Sequence, residues 1–383
     1  MNRERKTGRL LRRLGTPVAC ALLVALTGTT PAKASAAEVT CGGTVSADTT
    51  LTADLTCVGS GLRIDTDGVT LDLGGHTFTG TGLAVQAAEV TVKNGRIVGT
   101  SEVGVSVHRP DSDDRAGATL SDVQVVGKDP ASGRTRVQNA TLTLTGTPST
   151  CVAEGLTLLA ATATVEQCAV SRDISVQDST GVTISSSRLS NGRLLTERST
   201  GGTYNGTVFD AFPVTVGAGS GGDVFQDNVF RNTETAFEVK SGGSPSRPVT
   251  FNGNVFMNNS VGLLGGDGFD AATVKGNVFH SNRTVGLLIN QSSAAVNPNP
   301  VADNIFFANG TSPRKITDLG GNTVRGGLHV FTGSTPQPSL TLARNTGLAN
   351  GGFLIWAKPG SVVDGGGNRG PCGPRPNPSL TCG

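Results

Sequence analysis

The chain has 383 residues, 36% of them hydrophobic, and contains 54 glycines, 14 phenylalanines, two methionines, one tryptophan and one tyrosine. That is enough apolar material for a large core and argues against a disordered or collagen-like chain. The formal charge of +2 comes from 31 basic and 29 acidic side chains, but seven basic groups and one acidic group fall in residues 1–36, leaving 24 against 28 in the remainder. With no basic stripe in that acidic remainder, phosphate contacts to a nucleic acid are not expected.

Residues 1–36 read as an export leader. A basic segment precedes the 11-residue apolar run "VACALLVALTG", and "PAKASA" ends in small residues that predict cleavage after Ala36. The apolar run is shorter than the ~20 residues needed to cross a bilayer, and no second one follows, so no membrane span is expected. Arg12 and Arg13 fit either an ordinary basic leader or a twin-arginine export signal. The mature chain is expected to be secreted and extracellular.

Six cysteines follow the leader in three sequence-local couples: Cys41 with Cys57, Cys151 with Cys168, and Cys372 with Cys382. Proximity selects this pairing among the alternatives, and an oxidising compartment favours disulfides over metal ligation. Closing a loop of about 15 residues restricts the unfolded chain by roughly 3 kcal/mol. The outer couples place an N-terminal cap over residues 37–60 and a Pro/Gly-rich C-terminal cap or tail over residues 359–383.

Between the caps, residues 61–358 repeat. "DNVFRN", "GNVFMNN", "GNVFHSN" and "DNIFFANG" share a frame whose asparagines are Asn228, Asn254, Asn277 and Asn304, continued more loosely by Asn322 and Asn345. Separations of 18 to 27 residues, with short apolar runs and no helical periodicity, predict a solenoid of stacked strand units. "GVTLDLGGHTFTG", "EVTVKNGRIVG" and "GVTISSSRLSNG" carry the same alternation earlier in the chain. Such coils bury their apolar faces on one another with strands in parallel about 4.8 Å apart. Asparagine suits the turns because it tolerates the left-handed region and can bond along a stack.

These segments resemble the right-handed parallel β-helix proteins of the pectate-lyase-like superfamily. The resemblance rests on "VTLDLGGHTFTG", "VTVKNGRIVG" and the "GNVFxxN" coils, and covers about residues 61–358. It implies an all-β, right-handed parallel β-helix with capped, disulfide-stapled ends, and an elongated monomer. That superfamily includes pectate and alginate lyases, polygalacturonases, epimerases, phage tailspikes and exported proteins without assigned activity. Its enzymatic motifs have no match here: Asp-Pro-His is absent, and "NTE" at 232–234 only approximates Asn-Thr-Asp.

Columns across the regular coils carry little chemistry. The position three after the framing asparagine reads Arg231, Met257, His280, Phe307; the position one before reads Asp227, Gly253, Gly276, Asp303. The segment "HRPDSDDRAG" at 108–117 interrupts the pattern, and Asp111, Asp113 and Asp114 could ligate calcium there, with Arg134 and Arg136 one coil later as catalytic candidates. A solvated loop accounts for the same charges. Asp267 and Asp270 among glycines, and His76, read as turn residues; the Asn-x-Ser/Thr sequons follow from composition. Apart from Tyr204 and Trp356 only phenylalanine could offer an aromatic sugar platform, which favours acidic over neutral polysaccharides. The expected function is a non-catalytic solenoid associated with glycan or the cell surface, with a calcium-dependent lyase or C5-epimerase of an acidic polysaccharide as the alternative.

Overall fold

The structure, a computed structural model, describes residues 39–110, 114–240, 247–267, 269, 272–292, 297–333 and 340–383. Through the body of the helix each coil contributes a strand to each of three parallel stacks, here called sheets A, B and C. Sheet A has fifteen strands, from Thr44–Val45 to Cys372–Gly373. Sheets B and C are continuous with each other where the long strands Val90–Gly99 and Ala116–Gly127 pass through both. Paired strands therefore extend into both segments read as caps. No helix among the described residues is long and apolar enough to cross a membrane.

The alternation in the sequence becomes inside and outside. In Leu62–Ile64 the two aliphatic side chains are buried and Arg63 is exposed, as the two-residue strand period requires. The inward residues of successive coils stack into layers. Phe209, Phe230, Phe256, Phe279 and Phe306 form one such column, with ring centroids 4.5, 4.8, 4.8 and 4.9 Å apart. Tyr204 stacks on Phe225 at 4.3 Å in a parallel column and is 1% exposed.

The framing asparagines are fully buried rungs of a hydrogen-bonded ladder at the turn before sheet C. Asn228 N donates to Asn254 Oδ1 at 3.0 Å, Asn254 N to Asn277 Oδ1 at 2.9 Å, and Asn277 N to Asn304 Oδ1 at 2.9 Å. Each side-chain amide also donates to the next Oδ1 and to a backbone carbonyl of the preceding coil, as Asn277 Nδ2 does to Phe251 O at 3.0 Å. Ladder bonds pair every one of these buried polar groups. The frame proposed from the sequence needs one correction: after Asn304 the next rungs are Asn345 and Asn368, and Asn322 is not among them. Asn322 instead donates to Asp318 within the insertion that separates two coils. Toward the N-terminus the column continues as Thr207, Ser187 and Cys168.

The position before each rung explains its own composition. Asp227, Gly253, Gly276 and Asp303 have φ of 53°, 67°, 67° and 59°, the left-handed region that glycine and aspartate enter most readily. A Cβ on Gly253 would also lie 2.3 Å from Asp227 Oδ1.

All three expected disulfides are present: Cys41–Cys57, Cys151–Cys168 and Cys372–Cys382. The middle one joins consecutive coils through two buried side chains, 17 residues apart in sequence. Replacing both Cys151 and Cys168 by alanine is expected to cost about 3 kcal/mol, measurable as a lower midpoint in urea; an unchanged midpoint would remove the staple from the account of stability.

One inward position conflicts with its surroundings. The residue before each strand of sheet B reads Val182, Gly202, Asp223, Val249 and Ala272 in successive coils. Asp223 is 2% exposed; its Oδ1 accepts from Gly202 N at 2.8 Å and its Oδ2 has no protein partner. Burial pushes this carboxyl up to about 7, against the opposing pull of the Gly202 bond.

Candidate functional site

The outer face of sheet A begins in a column fixed by register: Thr44, Arg63, Ala84, Ser106 and Arg136 lie on successive strands. Over them opens a groove of about 630 Å³, lined also by Ser101, His108 and Gln138. Small residues in mid-column make its floor, and glycines let the turns approach beneath it. A Cβ on Gly61 would fall 2.2 Å from Gly82 O, and one on Gly82 2.7 Å from Val103 O.

Every ionisable side chain in the lining is basic: Arg63, His108 and Arg136. Arg63 is braced from one side, with Nη2 donating to Thr44 Oγ1 at 2.9 Å and Nε 3.6 Å from Asp65 Oδ2. Arg136 Nη2 donates to Gln138 Oε1 at 3.3 Å, and among the described residues no carboxylate lies within ion-pair distance of it. A guanidinium so placed keeps donors free for a planar oxyanion such as a carboxylate.

Of the residues singled out from the sequence, Arg136 is in this groove and Arg134, two positions earlier on the same strand, is not part of its lining. Asp111 and Asp113 lie outside the described residues. Asp114 lies 3.6 Å from Arg109, which also bonds Asp67 and donates to Gln86 O at 3.0 Å. Among the described residues no group of three or more His, Cys, Asp or Glu side chains could hold a metal ion. His76 sits 3.3 Å from Asp54; Asp267 accepts from Ser292, and Asp270 is outside the described residues. Arg63, Ser106, His108 and Gln138 were not singled out from the sequence. The recurrent glycine before short strands, in "GSGLRI" and "GTGLAV", is the signal that marks their shelf.

A second polar cluster lies at the far end of the same face. The segment 316–324 folds back on itself, with Val324 N donating to Ile316 O and Thr317 bridging Thr323, and covers Val261, Val285 and Leu288. Asp318 in its turn meets the buried His329 Nε2 at 2.9 Å, and His329 stacks on Trp356 at 4.1 Å. Burial holds the imidazole below its ordinary value despite the carboxylate beside it. Burial alone would raise Asp318; bonds from His329 and Asn322 outweigh it and leave the carboxyl lowered. This pair fastens the segment to the sheet. Neither Tyr204, in the core, nor Trp356, against His329, reaches the groove.

Residues 131–306 match the family model described as a right handed beta helix region. The fold is a right-handed parallel β-helix. Among solved structures, this β-helix is similar to the A-module of a mannuronan C-5 epimerase from Azotobacter vinelandii, at 13% identity and a TM-score of 0.46, covering 87% of this chain and 91% of that one. It is also similar to a periplasmic alginate epimerase, at 12% identity and a TM-score of 0.37 over 81% of this chain and 79% of the other. An alginate lyase in complex with a trisaccharide matches at 10% identity and a TM-score of 0.21, over 85% and 74%. No curated protein matches the sequence.

Proposed function

We propose that this β-helix is an exported polysaccharide-binding protein that holds an acidic glycan in the groove between Arg63 and Arg136. The observation that carries the reading is the uniform basic character of the groove's ionisable residues. Three disulfides support export, since such bonds persist in oxidising compartments. Binding without turnover is the form preferred. Guanidinium groups pair with carboxylates but stay protonated at neutral pH, so they serve poorly as proton acceptors. His108 is the one lining residue suited to take a proton, which makes it the group on which a lyase or epimerase alternative would turn.

The test is calorimetric titration of residues 37–383 with soluble polyuronates at low and high salt, with and without calcium. Arg136→Ala is expected to weaken binding about tenfold or more, since a hydrogen bond to a charged group contributes about 1.5–3 kcal/mol. Added salt should weaken the parent protein's binding as well. No heat with any acidic glycan, or equal affinity in the alanine variant, would remove the groove from consideration. Appearance of an unsaturated product by ultraviolet absorbance, lost in His108→Ala, would convert the binding protein into a lyase.

A further inference from the structure

We infer that the groove reads the spacing of acid groups along its ligand: it takes a linear glycan of at least four sugar units, lying along the helix axis, with carboxylates on the first and fourth. This rests on the acidic-glycan reading and adds a ruler to it. Arg63 and Arg136 occupy the same outward column and are separated by three strand steps, through Ala84 and Ser106. At ~4.8 Å per step the two guanidinium-bearing positions stand about 14 Å apart. Between them the column drops to a methyl and a hydroxymethyl group, so small side chains lie under the middle of this stretch and an arginine stands at each end of it.

An extended chain of linked pyranose rings advances by a distance close to one strand spacing per ring. A glycan aligned with the column therefore sets one ring over each of four strands, and the rings over Arg63 and Arg136 differ by three positions. A polymer with an acid on every unit, wound as a three-fold helix so that units three apart present their acids on the same edge, meets that condition in any frame. A strictly alternating polymer, acid then neutral, places its carboxylates an even number of units apart. It can satisfy one arginine at a time and never both. His108 and Gln138 flank the column on the next outward position and would contact the ring edges near the Arg136 end.

Defined oligomers test this. Titration of the protein with uronate homo-oligomers of two to six units is expected to show affinity rising steeply, by tenfold or more, between three and four units and little after that. Alternating oligomers of equal length and net charge are expected to bind at least tenfold more weakly than the tetramer. Arg63→Ala and Arg136→Ala should each cost the tetramer about tenfold, and the affinity step between trimer and tetramer should vanish in both variants. Both are exposed side chains on strand faces, and circular dichroism of the variants checks that the fold is kept. If homo-oligomers bind with affinity that grows smoothly with length, or alternating oligomers bind as well, the ruler is wrong while the acidic-glycan reading stands. If no acidic oligomer of any length binds, both fall together.

Discussion

Asp223→Asn is expected to raise the stability of the protein at pH 8 and to leave it nearly unchanged at pH 4. Burial pushes the native carboxyl up to about 7: Asp223 lines a small internal cavity with Val182 and Tyr204, and one of its oxygens is unpaired. In the unfolded chain it would lose its proton near the ordinary carboxylate value. Between those two points the native state holds a proton that the unfolded state has released, so stability falls as pH rises, by about 1.4 kcal/mol per pH unit. Above pH 7 the accumulated loss is about 4 kcal/mol. Asparagine keeps an oxygen for the Gly202 N–H and carries no charge, so the loss should disappear. Melting temperatures of parent and variant across pH 4 to 8 check this, and parallel curves would show that Asp223 is not the titrating group.

The second large effect runs the other way. Asn277→Ala removes the acceptor of Asn254 N and the donor to Phe251 O in a place where water does not reach. Two buried groups left unpaired, at about 1–3 kcal/mol each, predict a loss of about 4 kcal/mol. Asn322→Ala should cost about 1 kcal/mol, because Asn322 serves the inserted segment and no rung depends on it. Urea midpoints for the two variants separate the cases. Similar losses would mean that the ladder contributes no more than a surface turn.

The contrast between Asn277 and Asn322 also marks the limit of what local sequence patterns specify. Strand alternation, the asparagine frame and the three disulfides were legible because each is a local pattern with a physical cause: inward–outward period, left-handed turns, loop closure. Asn322 resembles a rung because "GNTVRGG" repeats the turn chemistry of "GNVF", yet turn chemistry is needed wherever the chain reverses. Only the distance between Asn304 and Asn345, which bond directly across 41 residues, shows that an insertion intervenes. The groove was less legible still. Arg136 stands out in the sequence by its charge, whereas Arg63 and Ser106 join it only through register between strands, with Arg63 and Arg136 73 residues apart, a relation no local window contains. Nothing adjacent to Asp223 in the sequence says that its side chain points inward.

The ladder makes coil number a free variable. Asn254 and Asn277 stand 23 residues apart and make the same bonds to their neighbours above and below. Excising residues 254–276 would bring Asn228 against Asn277 with the same amide-to-amide geometry and the same phenylalanine column behind it. Length can thus change in whole quanta without any new interface having to evolve. The insertion before Asn345 shows the converse, an excursion of the chain between two rungs that still close on each other. A lineage built on such a stack can lengthen, shorten or decorate its outer faces while the interior remains the same sentence, copied once more or once less.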